Sequence, residues 1–373
     1  MRVLMVSSER TWGGGEAQLE LLMKGLLADG LRVHLAAPAN SEIRRRVREL
    51  NAPFHPVAIE NGFDLVSAWR LRSVVKRGRF GVVHSHTSHA HSTSFMACTT
   101  VPKSQRPFQV VSRRVAAPVA THWLSRAKYQ KGADIFLAVS NCVRDVLADG
   151  GVPRNKIRLV HDGIDLSKFD RVRENAYVKT EFGIDAGQMP VVGNVAALAP
   201  YKSQVDIIRA APIVRDRYPH VKFLIVGEGK LREHLQSLID EMGLAGTVVL
   251  TGFRDDPLEI MSTFACFVLS SYLEGLGTSV MDAQAMGIPV VATDAGGIPD
   301  IVEDGVTGLL TPARDPQALA RAILRVLNDS HFGQHIANKA LARSRGYDYR
   351  HMVYKTLDAY NELAGALPEG QNR

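Results

Sequence analysis

The sequence predicts an α/β fold with two Rossmann-like domains whose parallel sheets face a central cleft. Three observations support this prediction. Short apolar runs alternate with amphipathic helices, the alternation starts twice along the chain, and glycine-rich or polar segments directly follow the apolar runs. Such alternation predicts parallel strands covered by helices on both faces of the sheet. A chain of 373 residues has room for two domains of this kind.

The apolar runs that we predict as strands fall into two series. The first series comprises RVLMVSS, RVHLAAP, GVVHSH, FQVVSRR, DIFLAVS and IRLVHDGID, between residues 2 and 165. After a charged stretch of weak periodicity at 166–190, the second comprises VVGNVAAL, VKFLIVGEG, TVVLTG, CFVLSS, PVVATD and GLLTP. We therefore predict domains at 1–168 and 169–345 and a final helical segment at 346–373. Ligands of open α/β sheets bind at the carboxyl ends of the strands, where the polar loops follow.

The composition is that of a globular protein, with 46% hydrophobic and 22% charged residues. The three cysteines lie inside apolar segments without paired spacing, so we expect free thiols in a reducing compartment. The N-terminus enters a strand directly and lacks the pattern of a secretory signal. Because no apolar run approaches the ~20 residues of a membrane-spanning helix, the expected location is the cytoplasm, with peripheral membrane association as an option.

Charge is divided unevenly between the two halves of the chain. Residues 1–165 contain 24 basic and 13 acidic residues, whereas the remainder contains 21 and 25. The basic half indicates an anionic partner, for which a membrane surface or a phosphorylated acceptor fits better than nucleic acid. No nucleic-acid-binding motif or aromatic stacking platform is present in the sequence. A solvated basic surface without a partner is the alternative.

The most informative segment is SSYLEGLGTSVMDAQAMG at 270–287. Glu274 precedes Gly275-Leu276-Gly277, whose amides are expected at the N-terminus of a helix, where backbone N–H groups and the helix dipole attract anions. Asp282 follows about two helical turns later. Two acids flanking an anion site suit a phosphate between two polyhydroxyl groups, as in a nucleotide-sugar. An ordinary strand-to-helix turn is the alternative.

A glycine-rich loop follows the first predicted strand. Gly13, Gly14 and Gly15 permit close backbone approach to a phosphate. The loop lacks both the ending of a P-loop and the spacing of a nicotinamide-binding fingerprint. It predicts either a phosphate contact or a structural turn.

Histidines and arginines also follow predicted strands of the first half. The segment HSHTSHAHS contains His84 and His86, for which we weigh a sugar or acceptor contact against a structural role. A metal site is disfavoured because no carboxylate or cysteine cluster accompanies the histidines and the chain contains no Asp-x-Asp. Arg113 and Arg114 end a strand, and their planar guanidinium groups suit an acidic acceptor. An unpaired surface position is the alternative for both arginines.

Two basic segments, EIRRRVREL and VSAWRLRSVVKRGRF, are predicted as helices with an apolar face and cationic flanks. Trp69 and Phe80 are candidate anchors at a lipid interface. Helices packed on the core with solvated charges are the alternative.

In the order and spacing of four segments, the chain resembles the retaining, nucleotide-sugar-dependent glycosyltransferases of family 4. These segments are VVGNVAALAPYKSQVDIIRAA, FLIVGEGKLREHLQSLIDEMGL, the 251–287 region, and GIPVVATDAGGIPDIVEDGVTGLL. The resemblance implies the GT-B fold, with the final helix returning to the first domain. It also implies a reaction without metal or other cofactor, in which the leaving phosphate accepts the acceptor's proton at the same face.

The resemblance assigns roles to individual residues. It implies that Lys202 contacts the leaving diphosphate and that Glu274 contacts the sugar hydroxyls, so these two are the predicted catalytic residues. It also implies that Asp282 contacts the nucleotide ribose. The other implied donor-binding residues are Gly13, Gly14, Gly15, Phe253, Gly275, Leu276, Gly277 and Thr278.

Two positions depart from the family pattern. Ala197 stands where the family has an arginine beside Lys202, and Asp282 replaces a glutamate. We expect a retaining hexosyltransferase that uses a nucleoside-diphosphate-sugar and a lipid-linked or anionic acceptor, in lipopolysaccharide or cell-envelope glycan synthesis at the inner face of the cytoplasmic membrane. The alternatives are a small soluble acceptor and a catalytically weakened sugar-nucleotide-binding homologue.

Overall fold

The computed structural model describes residues 1–62, 64–119, 123–171, 176–184 and 189–365. The chain divides into two compact units. Unit 1 comprises Met1–Gly163 and Tyr349–Arg373, and unit 2 comprises Ile164–Asp348. The sequence suggested divisions at 168 and 345, and residues 366–373 of its last segment lie outside the described residues. Each unit contains a parallel sheet flanked by helices, which confirms the predicted α/β fold class.

The sheet of unit 1 has seven strands in the order β3-β2-β1-β4-β5-β6-β7. Its strands are β1 Arg2–Val6, β2 Arg32–Ala37, β3 Phe54–Pro56, β4 Val82–Ser85, β5 Phe108–Arg113, β6 Ile135–Ala138 and β7 Ile157–Leu159. Its helices are α1 Gly14–Ala28, α2 Glu42–Val47, α3 Leu65–Gly78, α4 Ser88–Thr99, α5 Trp123–Lys131, α6 Asn141–Asp149 and, at the end of the chain, α14 Tyr349–Gly365. The edge strand β3 was not predicted from the sequence, because it is only three residues long.

The sheet of unit 2 has six strands in the order β10-β9-β8-β11-β12-β13. Its strands are β8 Val191–Val195, β9 Lys222–Val226, β10 Val248–Gly252, β11 Cys266–Leu269, β12 Val290–Thr293 and β13 Leu309–Thr311. Its helices are α7 Ala176–Phe182, α8 Gln204–Arg217, α9 Arg232–Glu241, α10 Pro257–Met261, α11 Thr278–Ala285, α12 Pro316–Asn328 and α13 Ser330–Ser344.

Both sheets reverse their strand order at one point, and that point determines where ligands are expected. In unit 1 the reversal lies between β1 and β4, and in unit 2 it lies between β8 and β11. The loops after these strands diverge to opposite faces of the sheet and leave a crevice at its carboxyl edge. The loops that contain Lys202 and Glu274 follow β8 and β11, so they meet at the reversal point of unit 2.

Apolar packing within unit 1 also includes the last helix. Met352, Val353 and Tyr360 of α14 are buried in the same core as the inner faces of β1 and α1. A Cβ atom on Gly25 of α1 would lie 2.3 Å from a methyl group of Val353, so a glycine is required where α1 and α14 meet. The burial of α14 in this core makes it an integral part of unit 1.

Candidate active site

The loop after β8 in unit 2 holds Lys202 in a fixed position. Pro200–Lys202 forms one short turn, and Ser203 then adopts a left-handed backbone with φ of +50°. The Ser270 hydroxyl, at the end of β11, donates to the carbonyl oxygens of Lys202 at 2.8 Å and Ser203 at 2.9 Å. Because Ser270 is fully buried, these hydrogen bonds join the two loops rigidly.

Lys202 and Glu274 form an ion pair at this junction. The Lys202 Nζ lies 2.5 Å from Glu274 Oε2, and the Ser271 hydroxyl donates to the same oxygen at 3.0 Å. The two side chains are only 15% and 12% exposed. A largely desolvated ammonium and carboxylate interact more strongly than a surface pair and hold each other in one geometry. The structure thus brings together the two residues that the sequence predicts as catalytic.

The backbone at Glu274 is held by Gly296 and Gly297, in the loop after β12. The Gly297 N–H donates to the Glu274 carbonyl oxygen at 3.1 Å. Gly296 has a left-handed backbone with φ of +57°, and a Cβ atom there would lie 2.0 Å from that same carbonyl oxygen. The loop after β12 can therefore approach Glu274 only with glycine at position 296.

Helix α11 begins at Thr278, four residues after Glu274, and its first turn has no side-chain cap. Its N-cap residue, Gly277, has φ of +94° and supplies no side-chain acceptor. Leu276 is buried and anchors the turn, whereas Thr278 is half-buried at the first helical position. Uncapped amides at a helix N-terminus attract an anion. Gly275–Gly277 leads into this N-terminus, and its phosphate contact remains a prediction.

Asp282 lies in the second turn of α11 and is half-buried. Burial raises the pKa of its carboxyl group to about 7, while the nearby Lys168 ammonium acts in the opposite direction. Hydroxyl groups that donate hydrogen bonds to a carboxylate favour its ionised form. A ligand hydroxyl bound here would therefore offset the cost of ionising Asp282. Its role as a ribose contact remains a prediction.

We expect Asp282→Asn to stabilise the protein above about pH 7. With its pKa raised in the folded state, Asp282 contributes stability below its unfolded pKa, and this contribution is lost as the pH rises through about 7. Asparagine cannot ionise, so the thermal midpoint should rise by about 2–4 °C relative to wild type near pH 8.5 and remain unchanged near pH 4. Thermal melts across this range test the expectation, with the exposed Asp216→Asn as the control. A pH-independent difference would contradict it.

Two further positions of unit 2 bear on donor binding. Phe253 follows β10 and is 57% exposed, so its ring is available for stacking. Ala197 contributes only its carbonyl oxygen, which accepts from the Gln204 side chain at 2.9 Å. Position 197 thus supplies no cation, so this loop has one positive charge fewer than the family pattern, which has an arginine there.

The glycine-rich loop of unit 1 begins α1. Gly13 is the N-cap in an extended conformation that any residue can adopt, and no side chain caps this helix. Cβ atoms on Gly13 or Gly15 would meet no atom within 4 Å. Because the fold itself does not require glycine at these two positions, close approach of a ligand explains them better than packing does. The predicted phosphate contact of Gly13, Gly14 and Gly15 remains a prediction.

His84 lies inside unit 1 with both ring nitrogens occupied. Its Nδ1 lies 2.6 Å from the Tyr360 hydroxyl of α14, and its Nε2 lies 2.8 Å from the Ser112 hydroxyl. The residue is 0% exposed, and burial lowers the pKa of the imidazole to about 3. These contacts give His84 a structural role that links β4, β5 and α14, and we do not retain it as an acceptor contact.

His86 and Arg114 belong to a buried polar group at the carboxyl edge of unit 1. Arg114 Nη1 lies 3.1 Å from His86 Nδ1, and its Nε donates to Asp162 Oδ1 at 2.9 Å. Burial raises the pKa of Asp162, although Arg114 opposes the shift. Burial also raises the pKa of Glu16, the residue after the glycine-rich loop, to about 7. The Arg114 guanidinium is therefore held beside the side chains of His86 and Asp162, which are polar groups that can form hydrogen bonds with a ligand.

Arg113 points into the loop that follows it. Its guanidinium donates to the carbonyl oxygens of Val115 and Ala117 and, at 2.7 Å, to the Tyr129 hydroxyl. These bonds hold the loop after β5 and use most of the donors of the side chain. Neighbouring arginines thus differ in role, since Arg113 supports the backbone and Arg114 faces the polar group.

The histidine-rich segment forms no cluster of metal ligands. His91 is buried and its Nε2 lies 3.3 Å from the Gly132 carbonyl oxygen. Within the described ranges, no group of three or more histidine, cysteine, aspartate or glutamate side chains is arranged to hold a metal ion. Metal independence remains an expectation about the reaction.

The sequence analysis missed several residues that define the geometry at these edges. Ser270 and Ser271 were visible only as part of a turn, although their hydroxyl groups fix Lys202 and Glu274. Arg314, after β13, was not considered. Its guanidinium lies 4.2 Å from the ring centroid of Tyr272, and its backbone is left-handed with φ of +62°. The signal available in the sequence was an arginine in the loop after a predicted strand. This arginine lies two residues before Pro316.

Two family models match the chain, one in each half. Residues 12–168 match the Glycosyltransferase Family 4 model, and residues 189–329 match the model described as Glycosyl transferases group 1. Together they span most of the chain, including every predicted catalytic and donor-binding residue.

Curated relatives carry glycosyltransferase names. The alpha-D-kanosaminyltransferase of Streptomyces kanamyceticus is 27% identical over 80% of this chain and 84% of that protein. The GDP-mannose-dependent alpha-(1-6)-phosphatidylinositol monomannoside mannosyltransferase of Mycolicibacterium smegmatis is 34% identical over 53% of this chain. This second match spans only 54% of that protein.

Solved structures support the fold across the whole chain. The crystal structure of Anabaena Alr3699/HepE in complex with UDP and glucose matches with a TM-score of 0.83 at 20% identity. The match covers 97% of this chain and 100% of that one. At this level of identity, the likeness establishes a shared fold.

Proposed function

Because this chain belongs to the family 4 glycosyltransferases of the GT-B fold, we propose that it transfers a sugar from a nucleoside-diphosphate-sugar to an acceptor hydroxyl with retention of configuration. The observation that carries the proposal is the largely desolvated Lys202–Glu274 ion pair, whose carboxylate lies in the loop that leads into the uncapped N-terminus of α11. One cation, one carboxylate and a set of free amides meet where the strand order of unit 2 reverses.

The chemistry that these groups support is electrostatic. In this proposal, Lys202 and the amides of Gly275–Gly277 take up the charge that develops on the departing diphosphate. Glu274 accepts hydrogen bonds from sugar hydroxyls and so orients the reacting carbon. Asp282 holds the ribose, and Phe253 stacks near the base. The reaction is proposed to need no metal or other cofactor, since the protein itself supplies the positive charge.

The acceptor is proposed to be lipid-linked or otherwise anionic, as in lipopolysaccharide or another cell-envelope glycan. The excess of basic residues in the first half of the chain supports this class. The name of the mycobacterial relative, which includes phosphatidylinositol monomannoside, agrees with it. A small soluble acceptor is the second candidate, supported by the name of the kanosaminyl relative.

A panel of UDP-, GDP- and ADP-sugars tests the donor proposal. With EDTA present, one class of donor should raise the thermal midpoint of the wild-type protein and should fail to do so in Lys202→Ala. A lipid-phosphate-linked glycan and a free sugar then distinguish the two acceptor classes. Stabilisation by no nucleotide-sugar, or only after addition of a divalent metal, would contradict the proposal.

Arg314 is a further candidate contact for the donor. It stacks on Tyr272, whose N–H donates at 2.9 Å to the carbonyl oxygen of Tyr201, the residue before Lys202. A left-handed backbone is unfavourable for arginine by about 1 kcal/mol or more, so the side chain retains a cost that glycine would avoid. We propose that Arg314 compensates for the cation missing at position 197.

Arg314→Gly is therefore expected to separate stability from binding. The variant should be at least as stable as wild type, because glycine suits φ of +62°. Its dissociation constant for the donor should rise by roughly tenfold, the effect of losing one charge-assisted hydrogen bond. Calorimetric titration measures this change, with Asn51→Gly, at φ of +51° in unit 1, as the control. Unchanged donor affinity in Arg314→Gly would remove this residue from the site.

A further inference from the structure

Helix α3 of unit 1 presents three large apolar side chains to solvent. Leu65 is 72% exposed, Trp69 is 67% exposed and Val66 is 61% exposed. Among the described residues, these are the three most exposed large apolar side chains. They lie within five consecutive positions, so they form a continuous patch instead of scattered single residues. Contiguous exposed apolar surface of this kind marks an interaction site.

The fold does not need these side chains. The opposite side of α3 supplies the buried positions Ala68, Leu71 and Val75, of which Leu71 and Val75 pack into the core of unit 1. The N-terminus of the helix is capped by Asp64, whose carboxylate accepts from the Ser67 N–H at 2.9 Å. With its inner face packed and its first turn capped, α3 is stable without burying its outer face.

Phe80 does not lie at the surface, although the sequence made it a candidate lipid anchor. It is only 3% exposed and packs in the core below α3. The prediction of Phe80 as an anchor is therefore wrong, whereas Trp69 lies where an anchor can act. Leu65 and Val66, at the start of the same helix, complete the patch.

The charge around the patch is positive. The side of α3 that presents the apolar patch also exposes Arg70, Lys76 and Arg77. Their helical spacing from Leu65, Val66 and Trp69 places them on that same face. No acidic residue lies within the helix. Of the two acids in the preceding segment, Asp64 caps the helix and Glu60 forms an ion pair with Arg10. The outer face thus combines aliphatic groups, an indole ring and a net positive charge, part of which, at Arg70, also acts on the Asp64 carboxylate.

We propose that this outer face of α3, formed by Leu65, Val66, Trp69, Arg70, Lys76 and Arg77, docks on an anionic lipid membrane. Tryptophan and aliphatic side chains insert at the boundary between head groups and acyl chains, and arginine and lysine bind the anionic head groups. The charge complementarity extends beyond the helix, because residues 1–165 have a net charge of +11. A broad anionic surface matches this distribution better than a compact protein partner does. The proposal is independent of the donor chemistry assigned to unit 2.

Co-sedimentation with vesicles tests the docking face. Wild-type protein should bind vesicles of equal parts phosphatidylcholine and phosphatidylglycerol at low salt, and binding to pure phosphatidylcholine should be weak. The combined variant Leu65→Ser, Val66→Ser, Trp69→Ser should lower the partition coefficient by tenfold or more, since each exposed apolar side chain adds to insertion. The charge-reversal variant Arg70→Glu, Lys76→Glu, Arg77→Glu should lower it similarly and weaken its salt dependence.

Matched controls locate the effect on α3. Tyr354→Ser removes a 55% exposed aromatic side chain from α14, and Arg321→Glu reverses an exposed charge on α12. Both should bind vesicles as wild type does. In addition, brominated phosphatidylcholine mixed with phosphatidylglycerol should quench tryptophan fluorescence in wild type and much less in Trp69→Phe, which retains an apolar side chain.

Two results would overturn the proposal. One is equal binding of wild type and both triple variants to the anionic vesicles. The other is a concentration-dependent dimer in sedimentation velocity that the apolar triple variant abolishes, with no effect of vesicles on wild type, since a second copy of the chain would then cover the face. Circular dichroism of each variant confirms that α3 remains folded.

Discussion

Lys202→Ala and Glu274→Ala are each expected to lower kcat for sugar transfer by about 100-fold or more, the usual effect of losing one preorganised electrostatic contact. Lys202 supplies the positive charge of the loop after β8, and Glu274 is its ion-pair partner at 2.5 Å. Removing Lys202 leaves the departing diphosphate with the helix amides and the proposed Arg314 contact as its remaining support. Removing Glu274 releases the Lys202 side chain. It also removes the carboxylate that is proposed to accept hydrogen bonds from the sugar hydroxyls.

The ion pair also predicts how the two substitutions combine. Since each residue positions the other, the double variant should lose much less activity than the product of the two single losses. Glu274→Gln should fall between wild type and Glu274→Ala, because an amide oxygen still accepts hydrogen bonds from hydroxyl groups. Steady-state kinetics with the donor identified by the panel measures these effects, and Lys339→Ala, an exposed lysine of α13, is the control.

Near-normal turnover in either single variant would exclude that residue from the reaction. Thermal melts distinguish a direct loss of activity from unfolding. Both variants should remain folded, since both residues lie in loops and no buried apolar contact is removed. Fully additive losses would show that the two groups act separately.

The second large effect is expected for Gly296→Ala. Its Cβ atom would lie 2.0 Å from the Glu274 carbonyl oxygen and must displace the loop that positions the ion pair. The displacement should lower kcat by roughly 100-fold, because misplacement of a catalytic group by about 1 Å costs this much. Stability should also fall by more than the ~1–2 kcal/mol of left-handed strain.

Gly243→Ala provides a matched control for that strain. Gly243 also lies in unit 2 with a left-handed backbone, at φ of +62°, but a Cβ atom there meets nothing within 4 Å. This variant should lose about 1 kcal/mol of stability and keep its activity. If Gly296→Ala behaved like Gly243→Ala, the loop after β12 would have no part in holding Glu274.

The sequence predicted the order of the elements well because the signals were strong and local. Buried parallel strands read as continuous apolar runs, and the polar loops that follow them were recognised at both reversal points. The short edge strand β3 escaped notice because three residues carry no periodicity. The loop residues Lys202 and Glu274 were identified through family motifs, and the structure places them in contact.

The details that sequence reasoning missed depend on side-chain direction. His84 lies one residue before the end of β4 and Arg113 ends β5, yet His84 turns into the core toward Tyr360 and Arg113 turns back to its own loop. Alternation along a strand determines these directions, and a shift of one residue in the assumed register reverses them. The partnership of Ser270 with the Lys202 loop is a contact between residues 68 positions apart, which no local pattern reveals.

The most direct test of the proposed chemistry is proton NMR of the anomeric signals during turnover of the donor selected by the panel, with EDTA present. We expect wild-type protein to convert an α-linked donor into an α-linked product with release of the nucleoside diphosphate. Lys202→Ala and Glu274→Ala, folded as judged by their melts, should show this conversion at least about 100-fold more slowly. A β-linked product, or equal conversion by wild type and both variants, would contradict the proposed chemistry.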